Sequence, residues 1–279
     1  MRHFIALALL AVAAAAQADT AEECLRHELT TYPFPHRPSA EQSEALKGCS
    51  ADKLYYGIGM HTDYVRARQC AFLTESHDVL MMLYANGLGG PRNYTVAKMA
   101  ACRAEAAPAE KEARLAKLAR MQSGKEGPAP KIDLCDGAAA GALGARCADI
   151  RTALRDQERE DHIGKIAYRW SVTERAAFQQ LRKLEGGFEE DLYAALLAFE
   201  ARKLPAFPAD ALAKAEREMQ QALAQAKGAS ATQRNWLAYR DAWVVFGKVR
   251  YPSVASHALK TYLTQKRAAM LKEQAAARN

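Results

Sequence analysis

Two short stretches place a carboxylate beside a histidine, the combination that general acid–base catalysis uses: Glu75-Ser76-His77-Asp78 and Asp161-His162. Both are also typical of a solvated helix end. The sequence contains no nucleophile elbow, no zinc-ligand spacing and no phosphate-binding loop. We therefore expect a protein that is not an enzyme and that uses no cofactor and no metal.

The N-terminus predicts export. A short basic start precedes an apolar run from Phe4 to Ala16, and Ala16-Gln17-Ala18 is a small-x-small cleavage site. The pattern is that of a signal peptide over residues 1–18, because the run is too short to span a bilayer. No later run reaches membrane length, so we expect a periplasmic or secreted protein with no transmembrane segment.

Basic charge is concentrated near the C-terminus. Residues 236–279 contain eight Lys or Arg and two Asp or Glu, whereas the rest of the chain is nearly balanced. Such a segment favours an anionic neighbour. Outside the cytoplasm we expect weak contact with an anionic envelope surface rather than with nucleic acid.

The composition and the apolar spacing of three and four predict an all-α protein. Ser39, with Gln42 as its capping-box partner, predicts a helix from about Ala40 to Tyr56. Ser123 to Pro130 has the composition of a linker. The predicted organisation is a helical hairpin repeat region over 19–122, a linker over 123–134 and a second helical domain over 135–279.

The first region contains an internal repeat with an offset of thirty residues. Leu54 to Tyr64 and Leu83 to Tyr94 each contain G-x-G followed by Asp or Asn and Tyr. A hairpin of two helices buries its apolar stripe by stacking on another copy, and the glycines permit positive φ in the turn. The motif resembles the Sel-one-like repeats, relatives of tetratricopeptide repeats, which implies stacked helical hairpins that present a groove to a protein partner.

Six cysteines follow the cleavage site: Cys24, Cys49, Cys70, Cys102, Cys135 and Cys147. An even number of cysteines in an exported protein predicts disulfides. Because Cys70 and Cys102 lie on the second helices of the two copies, we expect Cys70–Cys102, with Cys24–Cys49 and Cys135–Cys147. The alternative joins Cys49 to Cys70 and Cys24 to Cys102.

The most distinctive stretch of the second half runs from Gln233 to Trp243. Its spacing places Trp236, Tyr239, Arg240 and Trp243 on one helical face, with Asp241 beside them. The Arg240 guanidinium can lie against the Trp236 indole. This face is either the packing face of a helical bundle or a surface for a partner.

Q-R-x-W-L-x-Y-R-D, followed by Leu263-Thr264, Arg267 and Leu271, resembles the lysozyme inhibitor LprI-like domain, a family of small helical exported domains. The resemblance covers about Ser171 to Leu271. It implies a helical fold and, as an alternative function, inhibition of a lysozyme. An acidic patch at Glu185, Glu189, Glu190 and Asp191 is the candidate contact for a cationic lysozyme. The main expectation is an exported, non-catalytic envelope protein that acts as a protein-interaction module.

Overall fold

The computed structural model describes residues 20–136, 141–201, 205–226 and 230–277. The predicted signal peptide lies outside these ranges. The described residues form helices and connecting segments and contain no strand, which confirms the all-α prediction. None of the described helices combines the length and the apolar composition that crossing a membrane requires.

The helices of the first part are α1 (20–26), a 3₁₀ helix (Phe34–His36), α2 (Ala40–Ala45), α3 (Ala51–Tyr56), α4 (Tyr64–Leu73), α5 (His77–Asn86), α6 (Tyr94–Arg103) and α7 (Pro108–Gln122). The later helices are α8 (Gly141–Ala167), α9 (Val172–Arg182), α10 (Glu189–Glu200), α11 (Ala211–Gln225), α12 (Ser230–Arg250) and α13 (Ser256–Ala276).

The predicted single helix from Ala40 to Tyr56 is wrong, because the chain forms two short helices there. The capping box of Ser39 and Gln42 begins α2 as predicted. Gly48, at φ 73°, turns the chain after α2, and the Ser50 hydroxyl then caps α3 by accepting the Lys53 N–H. The break places Cys49 in the turn, where it can reach a partner on another helix.

The internal repeat is a repeat of structure. Gly57 and Gly87 end α3 and α5 in the left-handed conformation. Asp63 and Asn93 cap α4 and α6 with their side-chain oxygens. The backbone N–H of each cap also donates to a carbonyl of the preceding helix, Asp63 to Leu54 and Asn93 to Tyr84, at 3.0 and 2.9 Å. Both hairpins therefore fold their turns by the same hydrogen bonds, thirty residues apart.

The two copies differ in how their turns are covered. A Cβ on Gly89 would lie 2.7 Å from the backbone carbon and oxygen of Tyr64, at the start of the second helix of the first copy. The Arg68 guanidinium donates to the Gly89 carbonyl at 2.6 Å. Gly59, the equivalent of Gly89, has nothing within 4 Å of its Cβ position. The turn of the second copy thus packs directly on the first copy.

Three disulfides link the first part of the chain: Cys24–Cys102, Cys49–Cys70 and Cys135–Cys147. The predicted Cys24–Cys49 and Cys70–Cys102 pairs are wrong, the alternative pairing is the observed one, and the third pair is confirmed. The error lies in the assumed neighbours, since α4 packs mainly on α3 and α5, and α6 on α5 and α7. Disulfides of this number are typical of proteins from oxidising compartments.

The chain divides into two compact units, Met1–Glu158 and Arg159–Asn279. The sequence placed the division at the linker 123–134, whereas the structure places it within α8. The physical reason is burial: Ile132, Leu134, Cys147 and Ile150 all belong to the hydrophobic core of the first unit. The second unit has its own core, which is rich in aromatic side chains of α9, α10, α12 and α13.

Candidate functional site

A surface pocket of about 500 Å³ lies in the first unit, at the N-terminus of α5. We call it the α5 pocket. Its wall is formed by the α4–α5 turn (Thr74–Asp78), the C-terminal end of α6 (Arg103–Glu105), and Ala142, Leu143 and Arg146 of α8. Segments that are distant in sequence therefore meet here, and most of the side chains that they contribute are polar or charged.

Glu75 has an uncommon backbone conformation. With φ at 51°, it is the one non-glycine residue at positive φ among the described parts of the chain. The α4 helix ends there with a reversal in which the Ser76 N–H donates to the Ala71 carbonyl at 2.9 Å. Glycine is the residue that such helix ends favour, and Gly57 and Gly87 occupy this place after α3 and α5. Position 75 thus has a glutamate, whose carboxylate lies at the pocket, although glycine would be energetically favoured in this backbone conformation.

Ser76 precedes α5 at the N-cap position, but its hydroxyl does not cap the helix. The hydroxyl instead lies 2.9 Å from the Thr74 hydroxyl, which in turn donates to the Cys70 carbonyl at the same distance. Both hydroxyl groups belong to residues that line the α5 pocket. Because Thr74 donates its proton to Cys70, Ser76 donates to Thr74, and the two hydroxyl oxygens can only accept further hydrogen bonds.

The buried side of the pocket contains a network of ion pairs. Arg146 of α8 donates from Nε and Nη2 to the two oxygens of Asp52 at 2.7 and 2.6 Å, and from Nη1 to Asp78. The other oxygen of Asp78 accepts the Val79 N–H at 2.8 Å. Bidentate pairing of this kind fixes orientation strongly. Arg146 therefore joins the first helices of both repeat copies, and three of its five N–H donors are used within the protein.

Arg114 of α7 adds a second guanidinium to this region. The residue is 5% exposed, and its Nη1 and Nη2 atoms are buried with no hydrogen-bond partner among the described residues. Burial lowers the pKa of Arg114, and the charge of Asp78 acts in the opposite direction. We call Asp52, Asp78, Arg114 and Arg146 the buried charge cluster, which contains two carboxylates and two guanidinium groups. Asp78 and Arg114 are buried, and Asp52 and Arg146 are partly exposed.

The first unit contains two tyrosine–histidine pairs, and His77 of one of them lines the pocket. The Tyr32 hydroxyl is 2.9 Å from Nδ1 of His77, and Nδ1 of His36 is 2.9 Å from the Tyr84 hydroxyl. Burial lowers the pKa of both imidazoles below the ordinary value of 6.5, with Arg103 acting on His77 and Arg68 on His36 in the same direction. The neutral imidazole is therefore favoured, and His77 serves to position Tyr32.

The outer edge of the pocket contains charges that are not neutralised by a partner of opposite sign. Glu75 and Glu105 are exposed, and within the described part of the chain neither forms an ion pair. Arg103 donates to the Thr30 carbonyl at 3.3 Å and lies 5.7 Å from the centre of the Tyr32 ring, with no described carboxylate in ion-pair contact. We call Glu75, Arg103 and Glu105 the rim.

The groove that stacked hairpins were expected to present is filled by the chain itself. Asn86 at the end of α5 accepts the Ile132 N–H at 2.9 Å and donates to the Ile132 carbonyl at 2.8 Å. The Tyr56 hydroxyl of α3 donates to Asp133, and Leu134 is fully buried. The segment 131–135 thus packs on α3 and α5. A partner therefore needs another surface of this unit.

The face predicted around Trp236 is a packing face. Trp236, Tyr239 and Trp243 are 2%, 1% and 0% exposed in the core of the second unit. Arg240 lies 5.5 Å and Arg267 5.9 Å from the Trp236 ring centre, so the two arginines of the motif both contact its tryptophan. Asp241 is exposed and pairs with Arg240 and Lys260. The motif residues thus pack and pair within the helical bundle and stabilise it.

Most of the predicted acidic patch is engaged within the second unit. Glu185 pairs with Arg182 at 2.7 Å and Glu190 with Arg159 at 3.0 Å. Glu189 accepts the Gly187 N–H at 3.0 Å. Burial raises the pKa of Asp191. Glu190 is the one exposed member of the four.

The basic residues near the C-terminus are also largely engaged. Arg250 pairs with Glu174 and Glu200, and Lys272 pairs with Glu218. Arg267 is 3% exposed and contacts aromatic rings. Lys248 and Lys266 remain exposed. Among the described residues from 236 to 277, most basic side chains therefore have partners within the second unit.

No protein-family model, no curated protein and no solved structure matches this chain.

The described residues contain no group of three or more His, Cys, Asp or Glu side chains arranged to hold a metal ion. The two acid–histidine stretches have different surroundings, since Nδ1 of His162 is 2.5 Å from the Tyr193 hydroxyl, whereas His77 lies at the α5 pocket. Sequence reasoning found Glu75 to Asp78 but missed Asp52, Arg103, Glu105 and Arg146.

Proposed function

We propose that this protein is an exported, non-catalytic interaction module of the cell envelope, and that the α5 pocket is its contact site for a partner. The observation that carries the proposal is the contrast between the two charge sets of the pocket. The buried charge cluster pairs Arg146 with two carboxylates, whereas the rim has no internal ion pair. Uncompensated charges at a concave surface are available to another molecule.

Two features support a binding role rather than a catalytic one, and a third supports a functional role of the pocket. Arg146 and Asp78 hold each other in place, so neither is free to exchange protons with a substrate. His77 directs Nδ1 to Tyr32. Glu75, which lines the pocket, has a left-handed backbone conformation that is unfavourable for a non-glycine residue, and such conformations cluster at functional sites.

The three disulfides support the location of the proposed activity outside the reducing cytoplasm. Lysozyme inhibition is the alternative activity, and it rests on the sequence resemblance of the second unit. Its candidate contacts around Glu185 to Asp191 are mostly engaged by neighbouring arginines. An assay of lysozyme on cell walls, with the oxidised protein added, tests this alternative directly, and dose-dependent inhibition would establish it.

Site-specific crosslinking in producing cells tests the main proposal. A photo-crosslinking amino acid replaces Ala142, an exposed residue of the pocket wall, and in a matched control it replaces Ala213, an exposed alanine of α11. We expect a discrete adduct from position 142 that disappears when Glu75→Gln, Glu105→Gln and Arg103→Gln are combined. Adducts that form equally from both positions, or that survive the triple substitution, would contradict the proposal.

A further inference from the structure

We infer that the α5 pocket recognises a zwitterionic ligand, such as a free amino acid or a dipeptide, that carries an ammonium and a carboxylate a few ångströms apart. The inference rests on the proposed function of the pocket and names the chemistry of its ligand. The ammonium is bound by Glu75 and Glu105, and the carboxylate by Arg103.

The buried charge cluster contributes no net charge to the pocket. The charge of Arg146 is paired with Asp52 and Asp78, and both oxygens of Asp78 accept hydrogen bonds. With Arg114 included, the cluster is balanced in formal charge. Recognition of a charged ligand therefore depends on the rim.

The rim presents both signs of charge. Glu75 belongs to the α4–α5 turn, and Arg103 and Glu105 follow one another closely at the end of α6. A purely cationic ligand leaves Arg103 without a counterion, and a purely anionic ligand is repelled by two carboxylates. A ligand that carries both charges satisfies all three side chains at once, and charge-assisted hydrogen bonds of this kind are stronger than neutral ones.

The geometry of Arg103 suits a carboxylate. Its Nη2 atom donates to the Thr30 carbonyl and its guanidinium lies against the Tyr32 ring, so the side chain is held in position before a ligand arrives. A guanidinium fixed in this way retains donors that can bind a planar carboxylate. The hydroxyl oxygens of Thr74 and Ser76 in the same wall can accept hydrogen bonds, which suits the ammonium of the ligand.

Glu75 provides an independent reason to assign a ligand here. Gly57 and Gly87 show that this chain ends helices with glycine where the left-handed conformation is required. A glutamate in that conformation stabilises the fold less than glycine does, because its Cβ is crowded there. We infer that the Glu75 carboxylate serves in binding. Glu75→Gly should therefore increase the stability of the fold and weaken ligand binding.

The test uses alanyl-alanine as the probe in four forms: both ends free, N-acetylated, C-amidated and blocked at both ends. Binding is followed through the backbone amide resonances of Thr74 to Asp78 in the full oxidised protein. We expect saturable shifts with the free dipeptide and an affinity at least about tenfold lower when either end is blocked. Glu75→Gln and Glu105→Gln should weaken binding of the N-free forms, and Arg103→Gln binding of the forms with a free carboxylate. Glu41→Gln, an exposed control on α2, should change nothing.

Glu75→Gly adds a readout that a purely structural turn would not give. It should raise the melting temperature of the first unit by about 2–4 °C and abolish binding of the free dipeptide. Equal shifts by the doubly blocked dipeptide would overturn the zwitterion requirement while leaving the pocket as a contact site. Absence of any pocket shift up to ~20 mM, a range that includes millimolar dissociation constants, would overturn the ligand chemistry. In that case, crosslinking from position 142 still tests whether the pocket is a contact site for a partner, independently of the ligand chemistry.

Discussion

The close contact between the two repeat copies gives a quantitative prediction from one pair of glycines. Gly59 and Gly89 are equivalent positions with nearly identical φ values of 72° and 68°. Substitution by alanine therefore brings the same conformational cost at both. Only at Gly89 does the new Cβ meet backbone atoms, the carbon and oxygen of Tyr64, at 2.7 Å. The difference between the two variants isolates the packing of one copy on the other.

The magnitudes follow from the two effects. A left-handed alanine costs roughly 1–2 kcal/mol, of which about 0.4–1 kcal/mol is offset because alanine restricts the unfolded chain. We expect Gly59→Ala to lower the free energy of unfolding of the first unit by about 1 kcal/mol. Overpacking against a rigid neighbour adds about 1–3 kcal/mol, so Gly89→Ala should cost about 2–4 kcal/mol in total.

The assay is urea denaturation followed by far-ultraviolet circular dichroism, with tryptophan fluorescence as an internal control. Trp170, Trp236 and Trp243 are the only tryptophans of the chain and all lie in the second unit. The fluorescence transition should therefore stay unchanged in both variants while the dichroism transition of the first unit moves. Equal destabilisation by the two substitutions would refute the packing of the second turn on Tyr64.

Other predictions concern the core of the second unit, the pH dependence of the first and the disulfides. Trp236→Ala should destabilise the second unit by about 3–5 kcal/mol in denaturant titrations, because the indole is buried in the core and contacts two guanidinium groups; a variant that folds normally would show that the face is not core. Because His36 and His77 have lowered pKa values in the fold, the unfolded chain binds more protons below about pH 6.5, so the first unit should lose stability as the pH falls. Thermal melts of His36→Gln and His77→Gln variants should show a smaller slope with pH, and an unchanged slope would be evidence against this cause. Non-reducing peptide mapping should recover Cys24–Cys102, Cys49–Cys70 and Cys135–Cys147, and a Cys24–Cys49 peptide would contradict the fold.

The local features of the repeat could be predicted from the sequence because they depend on neighbouring residues. Asp63 and Asn93 cap helices, and Gly57 and Gly87 end them, for reasons contained within a few positions of the chain. The burial of the Trp236 face also followed one of the two interpretations of its spacing. A single helix does contain the information about which of its faces is apolar.

The features that the sequence left open depend on which segments become neighbours. The disulfide pairing failed because it assumed direct packing of α4 on α6. The boundary at 123–134 differed because Ile132 and Leu134, two apolar residues after a linker-like stretch, enter the core of the first unit. The α5 pocket could not be predicted from the sequence for the same reason, because Glu75, Arg103 and Arg146 belong to three segments that are distant in the chain.

The central claim is that the α5 pocket is the recognition site. The most direct test is the crosslinking yield from position 142, measured in parallel for the unmodified protein and for variants that each remove one charge from the rim. The account predicts one adduct whose yield falls with each of Glu75→Gln, Arg103→Gln and Glu105→Gln and is unaffected by Glu41→Gln. A yield that is insensitive to all three rim substitutions, or an identical adduct from position 213, would contradict it.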